Sequence, residues 1–289
     1  MERIDGKEIA ARIKEELAAE ISRRAAKGEK TPHLAAVLVG NDAASETYVA
    51  AKVKACQAIG MKSTELRFPA EITEEQLLEV IDRLNRDDDV DGYIVQLPLP
   101  RHLPAEKILG RIDPAKDVDG FHPVNAGRML LGLPAHLPAT PAGIVEMLSR
   151  HGVETERKHC VIVGRSNIVG TPLSVLMSRK SAHANCTVTL CHSGTPNIKT
   201  FTLQADILVV AIGVPRFITA DMVKEGAVVV DVGIHRVPSP TSRNGFRLVG
   251  DVDFENVAPR CSAITPVPGG VGPMTIVSLL RNTLQAATR

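Results

Sequence analysis

Apolar positions recur in a fixed alternation along the first hundred residues. Residues 6–27 place apolar side chains at helical spacing among charged ones, which predicts an amphipathic helix. HLAAVLVG (33–40) is a continuous apolar run ended by glycine, the pattern of a strand buried on both faces. Helical spacing returns over 44–59 and stops at Gly60. KSTELRF (62–68) predicts a strand. Thr73 is placed to cap a helix with Leu77, Leu78, Ile81 and Leu84 on its apolar side. Residues 92–97 form another buried strand, which runs into the rigid turn Pro98-Leu99-Pro100. Strand, helix, strand, helix, strand in this order predicts a parallel sheet covered by helices.

Residues 113–132 are rich in glycine and proline and predict a hinge or a cleft wall. Thr140 is placed as the cap, and Pro141 as the first-turn proline, of a helix over 142–150. The alternation then resumes. Strands are predicted at 159–164, 186–191, 205–213 and 227–233, with a helix at 170–179. GFRLVGDVDF (245–254) reads as a short hairpin arm. A last helix begins near Gly272 and carries Met274, Ile276, Val277, Leu279 and Leu280. Its apolar stripe needs a partner, so it is expected to cross back to the first domain. The fold class is α/β with two domains and a cleft between them. Residues 1–138 with 272–289 form a discontinuous first domain, and 139–271 form a Rossmann-like second domain.

Composition narrows the function. Lys and Arg total 34 against 33 Asp and Glu, and no basic stripe interrupts the balance, so a nucleic-acid partner is not expected. The hydrophobic fraction of 44% excludes a disordered chain, and the aromatic fraction of 3% means an aliphatic core. Five cysteines, an odd number without regular spacing, predict buried free thiols in a reducing compartment. The N-terminus has no apolar signal core, and no run of about 18 apolar residues exists to span a membrane. A cytoplasmic location is expected.

The nucleotide end is VIVGRSNIVG (161–170). A buried strand runs into a glycine turn at Gly164, and Gly170 opens the next helix. That places backbone N–H groups and a helix N-terminus under a pyrophosphate, although the spacing is not GxGxxG and a bare strand-to-helix turn reads the same way. An NAD site usually ends its next strand in an acidic residue that holds the ribose 2′-hydroxyl. Here that strand ends in Leu190-Cys191-His192-Ser193, with no carboxylate. Arg165, Ser166, His192 and Ser193 instead suit a 2′-phosphate, which favours NADP over NAD. Asp206 and Asp231 border later strands and read as cap or turn residues.

The chemical end lies earlier. In SETYVAAKVKAC (45–56), Tyr48 and Lys52 are four apart and share one helix face. A solvated surface lysine is the plain alternative. The Tyr-xxx-Lys pair of short-chain dehydrogenases follows their glycine turn, whereas this pair precedes it, so that analogy fails. VQLPLP (95–100) puts Gln96 at the C-terminal end of a buried strand, either to satisfy a turn or to touch a substrate. KDVDGFHP (116–123) supplies Asp117 and Asp119. No clustered histidine or further carboxylate accompanies them, so no metal is expected.

Taken together, SETYVAAKVKAC, VQLPLP, KDVDGFHPVNAGR, VIVGRSNIVGTP, DVGIHR and TPVPGGVGPMT closely resemble the bifunctional methylenetetrahydrofolate dehydrogenase / methenyltetrahydrofolate cyclohydrolase family. They occur in the family's order from Ser45 to Thr275. The resemblance implies a homodimer of two-domain subunits that binds tetrahydrofolate derivatives and NADP in one-carbon metabolism and purine biosynthesis. It implies oxidation of 5,10-methylenetetrahydrofolate to the methenyl form, then hydrolysis to 10-formyltetrahydrofolate at the same site. Lys52 matches the key cyclohydrolase lysine, Gln96 the glutamine that assists it, and Asp119 the aspartate that contacts the pterin. Tyr48 matches a tyrosine that packs against the folate rings. Pro268, Gly269 and Gly270 of the most specific motif are assigned to the substrate. Gly164, Arg165, Ser166 and Ile234 are assigned to the cofactor, with His192 and Ser193. The chain departs from the common family pattern at Ala139, where PATP replaces PCTP, and at His235, where DVGIHR replaces DVGINR. Competing readings are an NAD-dependent monofunctional dehydrogenase, a shikimate-type or amino-acid dehydrogenase and a small-molecule sensor. Arg165 with Lys52, the lack of another substrate signature, and the set Lys52, Gln96 and Asp119 argue against these in turn.

Overall fold

The structure is a computed structural model that describes residues 1–240, 242 and 245–288. Its first half contains β1 (Glu2–Arg3), α1 (Gly6–Ala26), β2 (His33–Val39), α2 (Ala43–Ala58), β3 (Lys62–Phe68), α3 (Glu74–Arg86), β4 (Gly92–Val95), α4 (Ala105–Leu109) and α5 (Pro123–Leu130). There follow α6 (Ala139–Arg150), β5 (His159–Val163), α7 (Gly170–Ser178), β6 (Thr187–Cys191), α8 (Ile198–Thr202), β7 (Ile207–Val210) and β8 (Val228–Asp231). The chain ends with β9 (His235–Pro238), β10 (Phe246–Val249), α9 (Phe254–Val257), β11 (Ala263–Ile264) and α10 (Val271–Ala286). Two compact units result: Met1–Ala10 with Thr140–Thr275, and Ala11–Ala139 with Ile276–Arg289. The division falls inside α1 and inside α10.

The unit of Ala11–Ala139 and Ile276–Arg289 holds a parallel three-stranded sheet in the order β3-β2-β4. All seven residues of β2 are buried, as a central strand requires. α3 begins with a reciprocal capping box: Thr73 Oγ1 accepts from Gln76 N at 3.2 Å and Gln76 Oε1 accepts from Thr73 N at 3.0 Å. Leu77, Val80, Ile81 and Leu84 then bury one face of that helix in a core with Val37, Tyr93 and Val95. Residues 113–132 are not simply a hinge. They include α5, which has Pro123 in its first turn and His122 as its cap, Nδ1 accepting from Val124 N at 3.1 Å. Imidazole is an uncommon capping acceptor, so the composition masks this helix.

The other unit holds a parallel six-stranded sheet, ordered β1-β11-β8-β7-β5-β6. Its core is aliphatic, with Val161, Val163, Leu208, Val210, Val229 and Ile264 buried. β9 and β10 form a separate antiparallel hairpin. Residues 1–10, expected within the domain of 1–138, group here instead, because β1 pairs with β11 through Glu2↔Ala263 and Arg3↔Ile264. A two-residue strand is too short to show periodicity. Thr140 is not a cap either. α6 starts at Ala139, and the Thr140 hydroxyl meets the Thr275 hydroxyl at 2.9 Å. Pro141 sits in the first turn, where a missing N–H costs nothing.

On α10, Met274, Val277, Leu279 and Leu280 are buried and Ile276 is half-buried. Past Ile276, Asn282 Nδ2 donates to the carbonyls of Val118 at 2.8 Å and Leu137 at 2.9 Å. All five cysteines are free and buried. Among the described residues no helix is long and apolar enough to cross a membrane.

Candidate active site

α2 buries Ser45, Val49, Lys52, Ala55 and Cys56. Lys52 therefore occupies a core position of an otherwise small and apolar stripe, and it is only 8% exposed. A lysine there needs a polar partner, because a buried ammonium without one is costly. Lys52 Nζ donates to Gln96 Oε1 at 3.0 Å. Burial pushes the Lys52 pKa below the ordinary lysine range, while the carboxylate of Asp119 pulls it back.

Gln96 follows the last residue of β4 and keeps the ladder for one more step, its N–H donating to the Val37 carbonyl at 2.9 Å. Its side-chain amide is oriented at both ends. Nε2 donates to the Leu97 carbonyl at 2.7 Å, so Oε1 is the end turned to Lys52. Tyr48, one turn before Lys52, is 40% exposed, and burial of its remainder raises the phenol pKa.

Asp119 sits in a loop pinned on several sides. Asp117 Oδ1 accepts from Phe121 N at 3.2 Å, and its Oδ2 from His122 N at 2.8 Å and Asn125 Nδ2 at 2.9 Å. Gly120 has φ +73°, and a Cβ there would lie 2.5 Å from the Leu137 carbonyl carbon. Asn282 holds the Val118 carbonyl just before Asp119. The Asp119 carboxyl pKa is raised by burial, against the pull of Lys52 and with a smaller push from Asp117. Lys52, Gln96, Asp119 and Tyr48 thus belong to one unit.

The remaining predicted residues belong to the other unit. At the end of β5, Gly164 has φ +120°, and a Cβ would lie 2.1 Å from the Ala211 carbonyl oxygen. A Cβ on Gly170 would lie 1.8 Å from the Gly164 carbonyl oxygen. Both positions admit glycine alone, and the turn opens directly into α7. This is the cradle a pyrophosphate needs, so the residues fit a dinucleotide. Arg165 is exposed. Ser166 Oγ accepts from Val169 N at 3.1 Å. Past β6, His192 Nδ1 accepts from Gly194 N at 3.1 Å, which leaves the proton on Nε2 in the neutral ring, and Ser193 is exposed. Ile234 is 49% exposed. Pro268, Gly269 and Gly270 close the loop before α10. The Gly269 carbonyl accepts from Lys7 N at 3.0 Å, and the Gly270 carbonyl leaves room only for glycine at position 6.

Asp206 and Asp231 act as strand-end acceptors. Asp206 takes His159 N and Lys224 Nζ, and Asp231 takes three backbone N–H groups. Asn282, Asp117 and Asp251 are positioning groups that spacing and composition leave largely unmarked. A polar residue within the α10 stripe is the one available signal for Asn282. Among the described residues no group of three or more His, Cys, Asp or Glu is arranged to hold a metal.

One unit offers a dinucleotide cradle and the other a buried lysine held by a glutamine amide, which defines the class: a nucleotide-linked α/β enzyme with a buried polar centre in its other unit. The model of the tetrahydrofolate dehydrogenase/cyclohydrolase catalytic domain matches residues 4–119, and that of the NAD(P)-binding domain matches residues 138–289. The bifunctional protein FolD of Cytophaga hutchinsonii is 61% identical over 287 residues, covering 99% of each chain. The crystal structure of the bifunctional methylenetetrahydrofolate dehydrogenase/cyclohydrolase FolD from Campylobacter jejuni superposes with a TM-score of 0.93 at 46% identity, covering 100% of this chain and 99% of that one. The Trypanosoma brucei dehydrogenase-cyclohydrolase, complexed with NADP and an inhibitor, superposes with a TM-score of 0.92 at 38% identity, covering 99% and 97%. The chain belongs to the tetrahydrofolate dehydrogenase/cyclohydrolase family.

Proposed function

We infer that this chain oxidises 5,10-methylenetetrahydrofolate with NADP and hydrolyses the methenyl product to 10-formyltetrahydrofolate. The observation that carries the reading is Lys52, buried at a core position and held by Gln96. A buried lysine held by a glutamine amide, rather than a solvated surface lysine, is the kind of group that marks a functional site.

Bound NADP supplies the hydride acceptor. The chain binds and orients it. Backbone N–H groups at the Gly164 turn and the start of α7 would hold the pyrophosphate, Arg165 with Ser166, His192 and Ser193 would hold the 2′-phosphate, and Ile234 would pack against the cofactor. Hydride leaves the bridging carbon of the substrate without a proton-removing base, so orientation is the main catalytic contribution.

Hydrolysis needs proton transfer. The methenyl product is a cation, and a nearby positive charge adds to burial in favouring the neutral amine of Lys52. That amine takes a proton from the water as it adds to the bridging carbon and delivers it to N5 as the bond from that carbon to N5 breaks, while the hydroxyl proton of the adduct passes to solvent as the formyl carbonyl forms. Gln96 holds the amine through its acceptor end. Asp119 accepts from the N–H edge of the pterin, Tyr48 packs against its face, and Pro268, Gly269 and Gly270 line the substrate.

Three finer readings follow from family membership. The protein is a homodimer. It works in the cytoplasm, which five buried free thiols support. Its product feeds purine biosynthesis.

The test is a paired assay on the purified protein. Reduction of NADP with 5,10-methylenetetrahydrofolate, together with decay of added methenyltetrahydrofolate faster than the buffer rate, is the expected result. Absence of either rate removes the corresponding activity from the reading.

A further inference from the structure

β7 and β8 are neighbours and end at the same sheet edge as β5, which carries the Gly164 turn. Three segments meet there: residues 211–214 after β7, residues 232–235 after β8, and residues 250–252 after β10. Two buried carboxylates tie them together. Asp251 is 0% exposed; its Oδ2 accepts from Ile212 N at 2.8 Å and Gly213 N at 3.0 Å, and its Oδ1 contacts His235 Nε2 at 2.7 Å. An ionised carboxylate only accepts, so Nε2 carries the proton. Asp231 Oδ1 accepts from Gly233 N at 3.0 Å and Asp251 N at 2.9 Å, and its Oδ2 from Val252 N at 3.0 Å.

Two glycines admit these carboxylates. A Cβ on Gly233 would lie 2.4 Å from Asp251 Oδ1, and one on Gly250 would lie 1.8 Å from Asp231 Oδ2. The outer side of the lattice is different. Gly213 has φ +72° and nothing within 4 Å of a Cβ position, and beside the lattice Val214 and Ile234 are 46% and 49% exposed. A rigid polar lattice therefore holds two aliphatic side chains out at the nucleotide edge. The sheet order says which half of the cofactor they meet. A pyrophosphate held at the Gly164 turn would lie after β5, with the 2′-phosphate readers after β6 on one side of it. β7 and β8 lie on the other side, so the nicotinamide half would run over their ends.

We propose that Asp251 and His235 are positioning residues for the nicotinamide half of NADP: their contact locks the 211–214 turn to the 232–235 segment and so fixes Val214 and Ile234 against the cofactor. The proposal rests on the assignment of this unit to NADP. It also gives His235 a purpose, because it supplies Asp251 with a donor where the common family pattern has asparagine, whose carboxamide is also a donor.

His235→Ala and His235→Asn test it, with NADPH affinity read from the cofactor's own fluorescence, KM values for both substrates, and Tm. His235→Ala should weaken NADPH binding and raise the NADP KM about tenfold, the size expected for loss of a hydrogen bond to a charged group. The KM for the folate should change less than about twofold. His235→Asn should recover most of the loss through its carboxamide N–H. Unchanged NADPH affinity in His235→Ala overturns the proposal. So does failure of His235→Asn to restore it, or an equal loss of both substrates' binding with a lowered Tm, which would mark a purely structural contact. Should His235→Ala not fold, Ile234→Ala alters only an exposed side chain, and an unchanged NADP KM in that variant is equally decisive. Failure of the wild-type protein to bind NADPH at all would instead overturn the assignment of the unit, and the proposal with it.

Discussion

Lys52 and Gln96, 44 residues apart in the chain, meet through a single hydrogen bond of 3.0 Å, and the other end of the glutamine amide is tied to the Leu97 carbonyl at 2.7 Å. The amide cannot turn over without losing both bonds. Lys52 is therefore held by an acceptor that stays an acceptor whether the amine is neutral or charged. A carboxylate in that place would favour the ammonium and work against proton uptake.

The first expectation concerns pH. The folded-state pKa of Lys52 is lowered by burial, so the neutral amine gains population as pH rises through that lowered value. The enzyme-catalysed rate of methenyl hydrolysis, corrected for the buffer rate, should rise with pH. It should level off below the ordinary lysine value of about 10.4. A stopped-flow pH profile checks this, and a rate that falls with rising pH contradicts it. The sign for stability is the same. Between the lowered and ordinary values the unfolded chain binds more protons, so stability rises with pH across that window.

Asn282 tests how Asp119 is held. Asn282→Ala leaves the Val118 and Leu137 carbonyls without their side-chain donor, which should cost about 1–3 kcal/mol in denaturant unfolding. Because Asp119 follows Val118, the hydrolysis rate should fall more than the NADP KM rises. Asn282→Asp should be worse, since it sets an acceptor against two acceptors. Equal stability of all three proteins would contradict the account.

Arg165 tests cofactor choice. Arg165→Ala should raise the NADP KM about tenfold or more and affect NAD less, because only NADP offers the 2′-phosphate. Steady-state kinetics with both cofactors decide it, and equal changes would remove Arg165 from that contact.

Gly164 tests the cradle. Gly164→Ala combines φ +120° with a contact 2.1 Å from the Ala211 carbonyl oxygen. Loss of about 3 kcal/mol or more is expected, with loss of NADP binding. Wild-type affinity in this variant would mean that the turn relaxes freely.

Legibility in the sequence followed the range of the interaction. β2 and the α3 capping box are local, and period and capping chemistry alone place them. The glycine turn at Gly164 is legible for the same reason. α5 is local too, yet its cap is the imidazole of His122, which capping preferences rank low. β1 is two residues long and gains its partner from β11 at the far end of the chain. The Lys52–Gln96 pair is long-range, and no spacing rule joins a helix position to a strand end 44 residues later. The resemblance to a family pairs them, whereas the residues alone leave Lys52 open as a solvated surface lysine, and its burial beside Val49 and Cys56 shows only in the fold. Asn282 and Asp251 are single buried polar groups whose partners lie far along the chain, so they are legible only once the backbone is folded.

The most direct test of the central claim is Lys52→Met, assayed for methenyl hydrolysis and NADPH binding on the same preparation. Hydrolysis reduced to the buffer rate, with NADPH affinity and Tm close to wild type, is the predicted result. Hydrolysis that persists above the buffer rate in a folded Lys52→Met protein would contradict the role of the buried lysine.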